Sequence, residues 1–232
     1  MSLIQAIAWP DRAVIVADTA STADGQDDRT RTGAHGAGHV AKLQLVPHMP
    51  AAIAYRGTAL LGGSIAITVS LLPSFDALDR AFADLAAKTV SQLPVLNPSL
   101  GEVVALKHEF VLAGWSERER RMVSRVWVKD EGAEAFRRED GPDDCAHFYP
   151  APYEDASVHF ETPVLMVDYI DLARRQAARL RGAGHAGGGD LVIATIRQDR
   201  IIADIHRDFC ERRAAEMPGA VSAPIAIAGA RV

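Results

Sequence analysis

The stretch S-L-I-Q-A-I-A-W-P-D-R-A-V-I-V-A-D-T, residues 2–19, decides how the rest of the chain is read. Two apolar runs, 3–9 and 13–18, flank Pro10, Asp11 and Arg12. Enrichment in Ile, Val and Trp around a Pro-Asp turn predicts a β-hairpin. The second strand ends on Asp18, and its return along the first strand brings that carboxylate back near the chain start. Ser2 sits directly behind Met1, sixteen residues before Asp18. Methionine ahead of so small a residue is readily trimmed, so the expected mature chain begins at Ser2, with no longer propeptide.

A first-position serine carries a hydroxyl and a free α-amine on one residue. That amine titrates near ~7.7–8.0, so much of it is an unprotonated base at neutral pH. It can take the hydroxyl proton, directly or through a water, as the oxygen attacks a carbonyl. Such a nucleophile needs a cation beside it, and the cation needs a counter-charge. Lys42, at the entry to the run A-K-L-Q-L-V, supplies the first and Asp18 the second. Taken singly, each has an ordinary reading. Serine is a common second residue, Asp18 a strand-end turn former, and Lys42 a solvated charge on a strand edge. On that last reading, replacing Lys42 costs the fold little, because exposed ion pairs contribute roughly 0–1 kcal/mol.

The bulk composition is that of a globular protein. The chain has 232 residues, 48% of them hydrophobic and 24% charged, enough to bury a sizeable core. The net charge of −5 offers no footprint for nucleic acid. Cys145 and Cys210 make neither a disulfide framework nor a metal or redox pair. No basic-then-apolar leader is visible, and the longest apolar run, near 58–73, is too polar for a membrane span. These features predict a cytoplasmic protein without a membrane segment. His35 and His39 lie four apart among glycines, with no acid or thiol to complete a metal site. The arginine-rich face of 174–181 reads as a solvated or subunit-facing surface.

Further along, 19–39 is polar and glycine-rich, a long loop. Residues 41–46 and 51–55 predict a second strand pair around Pro-His-Met-Pro, with Leu43, Leu45, Ile53 and Tyr55 covered on one face. Two helices follow. In the second, Phe75, Leu78, Phe82, Leu85 and Val90 fall on one stripe, with Ser74 as its N-cap. Strands return in 102–115 and 121–128, and 129–160 reads as irregular. A third helix carries Met166, Tyr169, Ile170, Ala173, Ala177 and Leu180 on one face, with Pro163 in its first turn. The glycine cluster at 182–189 ends it, and a last hairpin spans 191–205. Paired strands and grouped helices predict an α+β fold. The expected organisation is one domain over 1–210 and a loosely ordered tail over 211–232.

These segments resemble a known family. S-L-I-Q-A-I-A-W-P-D-R-A-V-I-V-A-D-T-A-S-T (2–22) and A-K-L-Q-L-V-P-H-M-P-A-A-I-A-Y-R-G-T-A-L-L (41–61) are similar to the start of a proteasome-type β subunit. The likeness takes in the bacterial two-component protease and the bacterial proteasome-like (Anbu) group. Residues 108–132 resemble that family's later strand pair, and 171–200 its helix, glycine turn and closing strand. The resemblance implies the N-terminal nucleophile (Ntn) hydrolase fold, a four-layer αββα sandwich with two antiparallel sheets between helical layers. It implies Ser2 as nucleophile and base, Lys42 to tune the amine, and Asp18 to hold Lys42. The oxyanion N–H falls on Tyr55 or on Gly57. The activity implied is hydrolysis of a peptide or amide substrate by a homo-oligomer, without metal or organic cofactor. Two other readings remain open: a catalytically silent scaffold of the same fold, and a small-molecule amidase. The chain departs from the family pattern at Ala183 and Ala186, where Asp and Ser are usual. His185 and Asp190 stand nearby as substitutes.

Overall fold

The computed structural model describes residues 3–21, 38–39, 41–57, 59–96, 98, 101, 105–139, 146–150, 166–185, 187–210 and 221–226. Met1, Ser2, His35, Cys145, Pro163 and Ala186 lie outside the described residues, as do most of the 19–39 loop and the side chain of Met166.

The strands in chain order begin with β1 (Ile4–Ala8), β2 (Ala13–Asp18), and the short β3 (Ala20–Ser21) and β4 (Gly38–His39). β5 (Leu43–Val46) and β6 (Ala51–Arg56) lead into α1 (Ala59–Val69) and α2 (Phe75–Leu96). Then come β7 (His108–Ser116), β8 (Arg121–Lys129), β9 (Arg137–Arg138), β10 (His147–Tyr149) and α3 (Met166–Gly182). The chain closes with β11 (Leu191–Ile196), β12 (Arg200–His206) and β13 (Val221–Ala226). One antiparallel sheet has the order β10-β1-β2-β11-β12-β13 and the other β5-β6-β7-β8-β9. β3 and β4 pair apart from both.

The predicted first hairpin forms. Trp9 N–H donates to the Arg12 carbonyl at 2.7 Å, and the ladder runs from Ala8 opposite Ala13 to Ile4 opposite Ala17. Both of its strands are buried throughout, because each face has a cover. Leu3, Ile7, Val14 and Val16 pack with Tyr169, Ile170, Ala173, Ala177 and Leu180 of α3. The alternate residues, Ile4, Ala6, Ala13, Ile15 and Ala17, pack with Leu43, Ala52, Ala54, Val111 and Ala113 of the other sheet. The far side of that second sheet carries Ile53, Tyr55, Phe110 and Leu112 into a cluster with α1 and α2.

That arrangement corrects the expectation of strands covered on one face. β6 is buried along its whole length and alternates large with small, Ile53 and Tyr55 toward the helices against Ala52 and Ala54 toward the other sheet. The facing alanines are what let two sheets meet closely.

α2 follows its predicted stripe. Ser74 Oγ accepts from Ala77 N–H at 3.3 Å as the N-cap. Phe75, Leu78, Phe82 and Val90 are buried, while Leu85 is half-buried and its neighbour Ala86 takes the core position. Phe82 sits 5.2 Å from the ring of Phe110, 5.7 Å from Trp127 and 6.3 Å from Phe136. α3 is fastened to β1 by amides. Gln5 Nε2 donates to Tyr169 O at 3.1 Å and to Gln176 Oε1 at 2.9 Å, and Gln176 Nε2 donates to Pro150 O at 2.7 Å.

Three parts of the chain read as loop, irregular or loose contain strands, the first being 19–39, whose two ends pair as β3 and β4. Within 129–160, β9 extends one sheet beside β8, and β10 pairs with β1. In the tail, β13 pairs with β12 at the sheet edge, Pro224 standing opposite Ile202. Edge strands tolerate a proline, because one row of their N–H groups has no ladder partner to lose. β9 and β10, at two and three residues, lack the length that makes strand periodicity visible.

Phe82→Ala is expected to lower the unfolding free energy by about 3–5 kcal/mol, the range for emptying a large buried ring site. Urea midpoints of the two proteins check this.

Candidate active site

The hairpin register carries Asp18 back to the first described residue. Leu3 N–H donates to Asp18 Oδ1 at 3.1 Å. Lys42, one residue ahead of β5 in the opposite sheet, donates from Nζ to the same oxygen at 2.8 Å. Its ammonium also donates to the Ala20 carbonyl just past β2. Asp18 Oδ2 accepts from Gly188 N–H at 3.2 Å. Each of these three partners donates to the carboxylate, which is fully buried.

Lys42 is only 5% exposed, which corrects the reading of it as a solvated edge charge. The hydrophobic seat of Leu43, in the cluster between the sheets, holds the backbone at this point. Burial pushes the Lys42 ammonium below the ordinary lysine range. The Asp18 charge and hydrogen bond pull it back up, and the Arg56 charge pushes it further down.

The run Gly187-Gly188-Gly189, read from sequence as a helix-ending turn, also supplies one of the carboxylate's donors. A Cβ at Gly187 would lie 2.9 Å from the Ala177 carbonyl, so only glycine lets the chain cross so near α3. Gly188 has φ +136° and Gly189 +70°, conformations that disfavour any side chain. Together they turn Gly188 N–H onto Asp18. The turn is then sewn to the end of β2. Thr19 N–H donates to Asp190 O at 2.9 Å, Asp190 N–H to Thr19 Oγ1 at 2.9 Å, and Ala20 N–H to Gly188 O at 3.2 Å. The signal in the sequence was the triple glycine; its partner 170 positions away is not written there.

The two oxyanion candidates are placed differently. Tyr55 N–H is already spent on the Lys42 carbonyl at 3.1 Å. Its ring packs with Phe110 in the core, its hydroxyl donates to Ala41 O at 2.9 Å, and burial pushes its pKa up to about 12. A Cβ at Gly62 would lie 2.2 Å from that ring, so α1 rests directly on Tyr55. Gly57 lies just past β6, exposed, with φ +130°, and a Cβ there would meet His108 Nδ1 at 2.1 Å.

Of the two substitutes suggested for the missing family residues, Asp190 Oδ1 accepts from Asp208 N–H at 3.2 Å. His185 N–H donates to Leu180 O at 2.8 Å, closing the end of α3. Ala183 belongs to the same closing turn, its N–H on Arg179 O at 3.0 Å.

A solved structure of an Anbu mutant from Hyphomicrobium sp. strain MC1 matches this arrangement with a TM-score of 0.52 at 12% identity, over 97% of this chain and 87% of that chain. The fold is that of Anbu, a bacterial proteasome-like protein. No family model matches the chain, and no curated protein does. The likeness to Anbu therefore rests on the arrangement of strands and helices, since few residues are shared. Among the described residues, no helix is long and apolar enough to cross a membrane.

Removing either member of a buried ion pair strands the other charge, a loss of about 3–5 kcal/mol. Lys42→Met and Asp18→Asn are each expected to destabilise by that order. The double variant should lose clearly less than the sum. Urea unfolding of the four proteins measures the coupling, and additive losses would mean that the two side chains do not sense each other.

Proposed function

We propose that this protein is a proteasome-like N-terminal serine hydrolase, built as a four-layer αββα sandwich and acting on peptide or amide bonds in the cytoplasm. Ser2 is the nucleophile once its α-amine is freed. The observation that carries this reading is the hydrogen bond from Leu3 N–H to Asp18, the carboxylate that also holds Lys42. The Leu3 nitrogen is the peptide nitrogen joined to Ser2, so the buried ion pair lies one peptide unit from the proposed nucleophile.

The chemistry follows from charge. Asp18 alone would favour the protonated amine and remove the base. Lys42 reverses that field, leaving the amine free to accept the hydroxyl proton as Ser2 Oγ attacks the substrate carbonyl. The oxyanion formed is met by a backbone N–H. Gly57 is the better donor, because the Tyr55 N–H is committed to its own sheet. Collapse breaks the C–N bond, the departing amine takes the proton, and water then hydrolyses the serine ester by the same base. The chemistry requires no metal and no organic cofactor.

Self-assembly is part of the proposal. α1 is apolar nearly all round, as a helix is when both of its sides are covered. Ile67, in its last turn, and Leu71, two residues past its end, are 73% and 82% exposed. A second copy of the chain would cover them.

Intact mass and labelling with an uncharged electrophilic probe test the mechanism. The parent is expected to label at Ser2, Ser2→Ala not at all, and Lys42→Met about 10²–10³-fold more slowly, the typical cost of one electrostatic stabiliser. A melting curve run alongside separates this from unfolding. A parent that retains residues ahead of Ser2, or labels no faster than Lys42→Met, would put the silent scaffold in its place. For assembly, light scattering at micromolar concentration should find an oligomer that Ile67→Glu with Leu71→Glu dissociates. A stable parent monomer would favour the small-molecule amidase over a chambered protease.

A further inference from the structure

The ends of β6, β7 and β10 meet beside the start of β1, and there two cations share one carboxylate. Arg56 closes β6 opposite Glu109 in the β6–β7 ladder, and its Nη1 donates to Glu109 Oε2. Lys107, just ahead of β7, holds its Nζ 3.0 Å from the other oxygen, Oε1. Both cations also attend one ring. The Arg56 guanidinium carbon lies 3.7 Å from the Tyr149 centroid and Lys107 Nζ lies 6.0 Å from it. Tyr149 pairs with Ile4 across β10–β1, and Arg56 directly precedes Gly57. The cluster therefore stands beside the start of β1, close enough to the Asp18–Lys42 pair for the Arg56 charge to act on Lys42.

The burial of the four side chains sorts their roles. Arg56 and Glu109 are buried, whereas Lys107 is 45% exposed and Tyr149 40%. Arg56 alone suffices to neutralise Glu109 and to tie the two sheets together through Tyr149. Among the described residues, Lys107 is the second cation on a carboxylate that already has one. Among the described residues, the other acid whose charge acts on it, Asp130, is itself paired with Arg137 at 3.2 Å. An ion pair with a half-exposed partner is weak, so Lys107 exchanges Glu109 for another carboxylate at little cost. A cationic substrate group there meets a like charge instead.

We infer that Lys107 and the exposed Tyr149 ring form a subsite that selects an acidic side chain on the substrate, with Arg56 as its buried anchor. The inference rests on the hydrolase reading for taking the ligand to be a peptide substrate. Its test needs no turnover. Dansyl-labelled alanine hexapeptides carrying a single Glu, Leu or Lys are titrated into the full-length Ser2→Ala protein by fluorescence anisotropy. The glutamate peptide should bind about three- to tenfold tighter than the leucine peptide, the lysine peptide weakest, and added salt should narrow the gap. Lys107→Glu should reverse the order. Lys107→Gln, milder beside Glu109, should abolish the preference while its melting curve stays near the parent's. Equal affinity for the three peptides, or an unchanged order in Lys107→Glu, overturns the proposal. Labelling of the parent at Ser2 by the uncharged probe reports separately. An acidic preference without labelling sinks the hydrolase and leaves the subsite, and labelling without a charge preference does the reverse.

Discussion

A carboxylate taken fully out of water has to be met on every side, and Asp18 imposes that demand on this chain. Its donors come from three places far apart in sequence: the Leu3 amide, the entry to β5 and the glycine turn after α3. Each is positioned by a different local device. The hairpin register sets Leu3, the seat of Leu43 between the sheets sets Lys42, and three glycines set the turn. Three connections that otherwise have no reason to meet therefore converge at one end of the two sheets. An uncompensated charge at that point would cost more than most single packing defects.

The readable and unreadable parts of the molecule divide by range. Local periodicity sufficed for the first hairpin, for α2 with its Ser74 cap, for α3 and for the β11–β12 pair. Each of these writes its pattern within a dozen or so residues. β9 and β10 escaped because they are two and three residues long, and β13 because its run V-S-A-P-I-A is rich in small residues and interrupted by a proline; all three lie on edges and owe their extended form to a neighbour supplied from elsewhere. The face pattern of β6 was half legible. Ile53 and Tyr55 advertised one buried side, but alanine says little about its surroundings, so the second cover stayed hidden.

The same holds at the site. Asp18 and Lys42 were legible as a pair because an N-terminal nucleophile calls for a cation with a counter-charge and the resembled family places both at these positions. The burial of Lys42 was not, since nothing in A-K-L-Q-L-V distinguishes an edge charge from one sealed between layers. Nor was Gly188 legible as a donor. A glycine cluster announces an unusual backbone without saying which atom it presents. Tyr55 and Gly57 could be separated only by a ladder that shows which N–H is already engaged.

The alanines between the sheets have a consequence for the charge pair. Asp18 belongs to one sheet and Lys42 to the edge of the other, so their separation is a sheet-to-sheet spacing. That spacing is set by side chains such as Ala6, Ala17, Ala52, Ala54 and Ala113, none of which carries a charge. These methyl groups act as shims. A thicker one, valine or leucine at Ala52 for example, would prise the layers apart and stretch the contact without altering either ionisable group. Coulomb attraction in a dry interior is steep in distance, so the electrostatics of the chain's first residues would drift with the bulk of a remote alkyl group. The chemical temper of this end of the molecule is thus held partly by residues with no chemistry of their own.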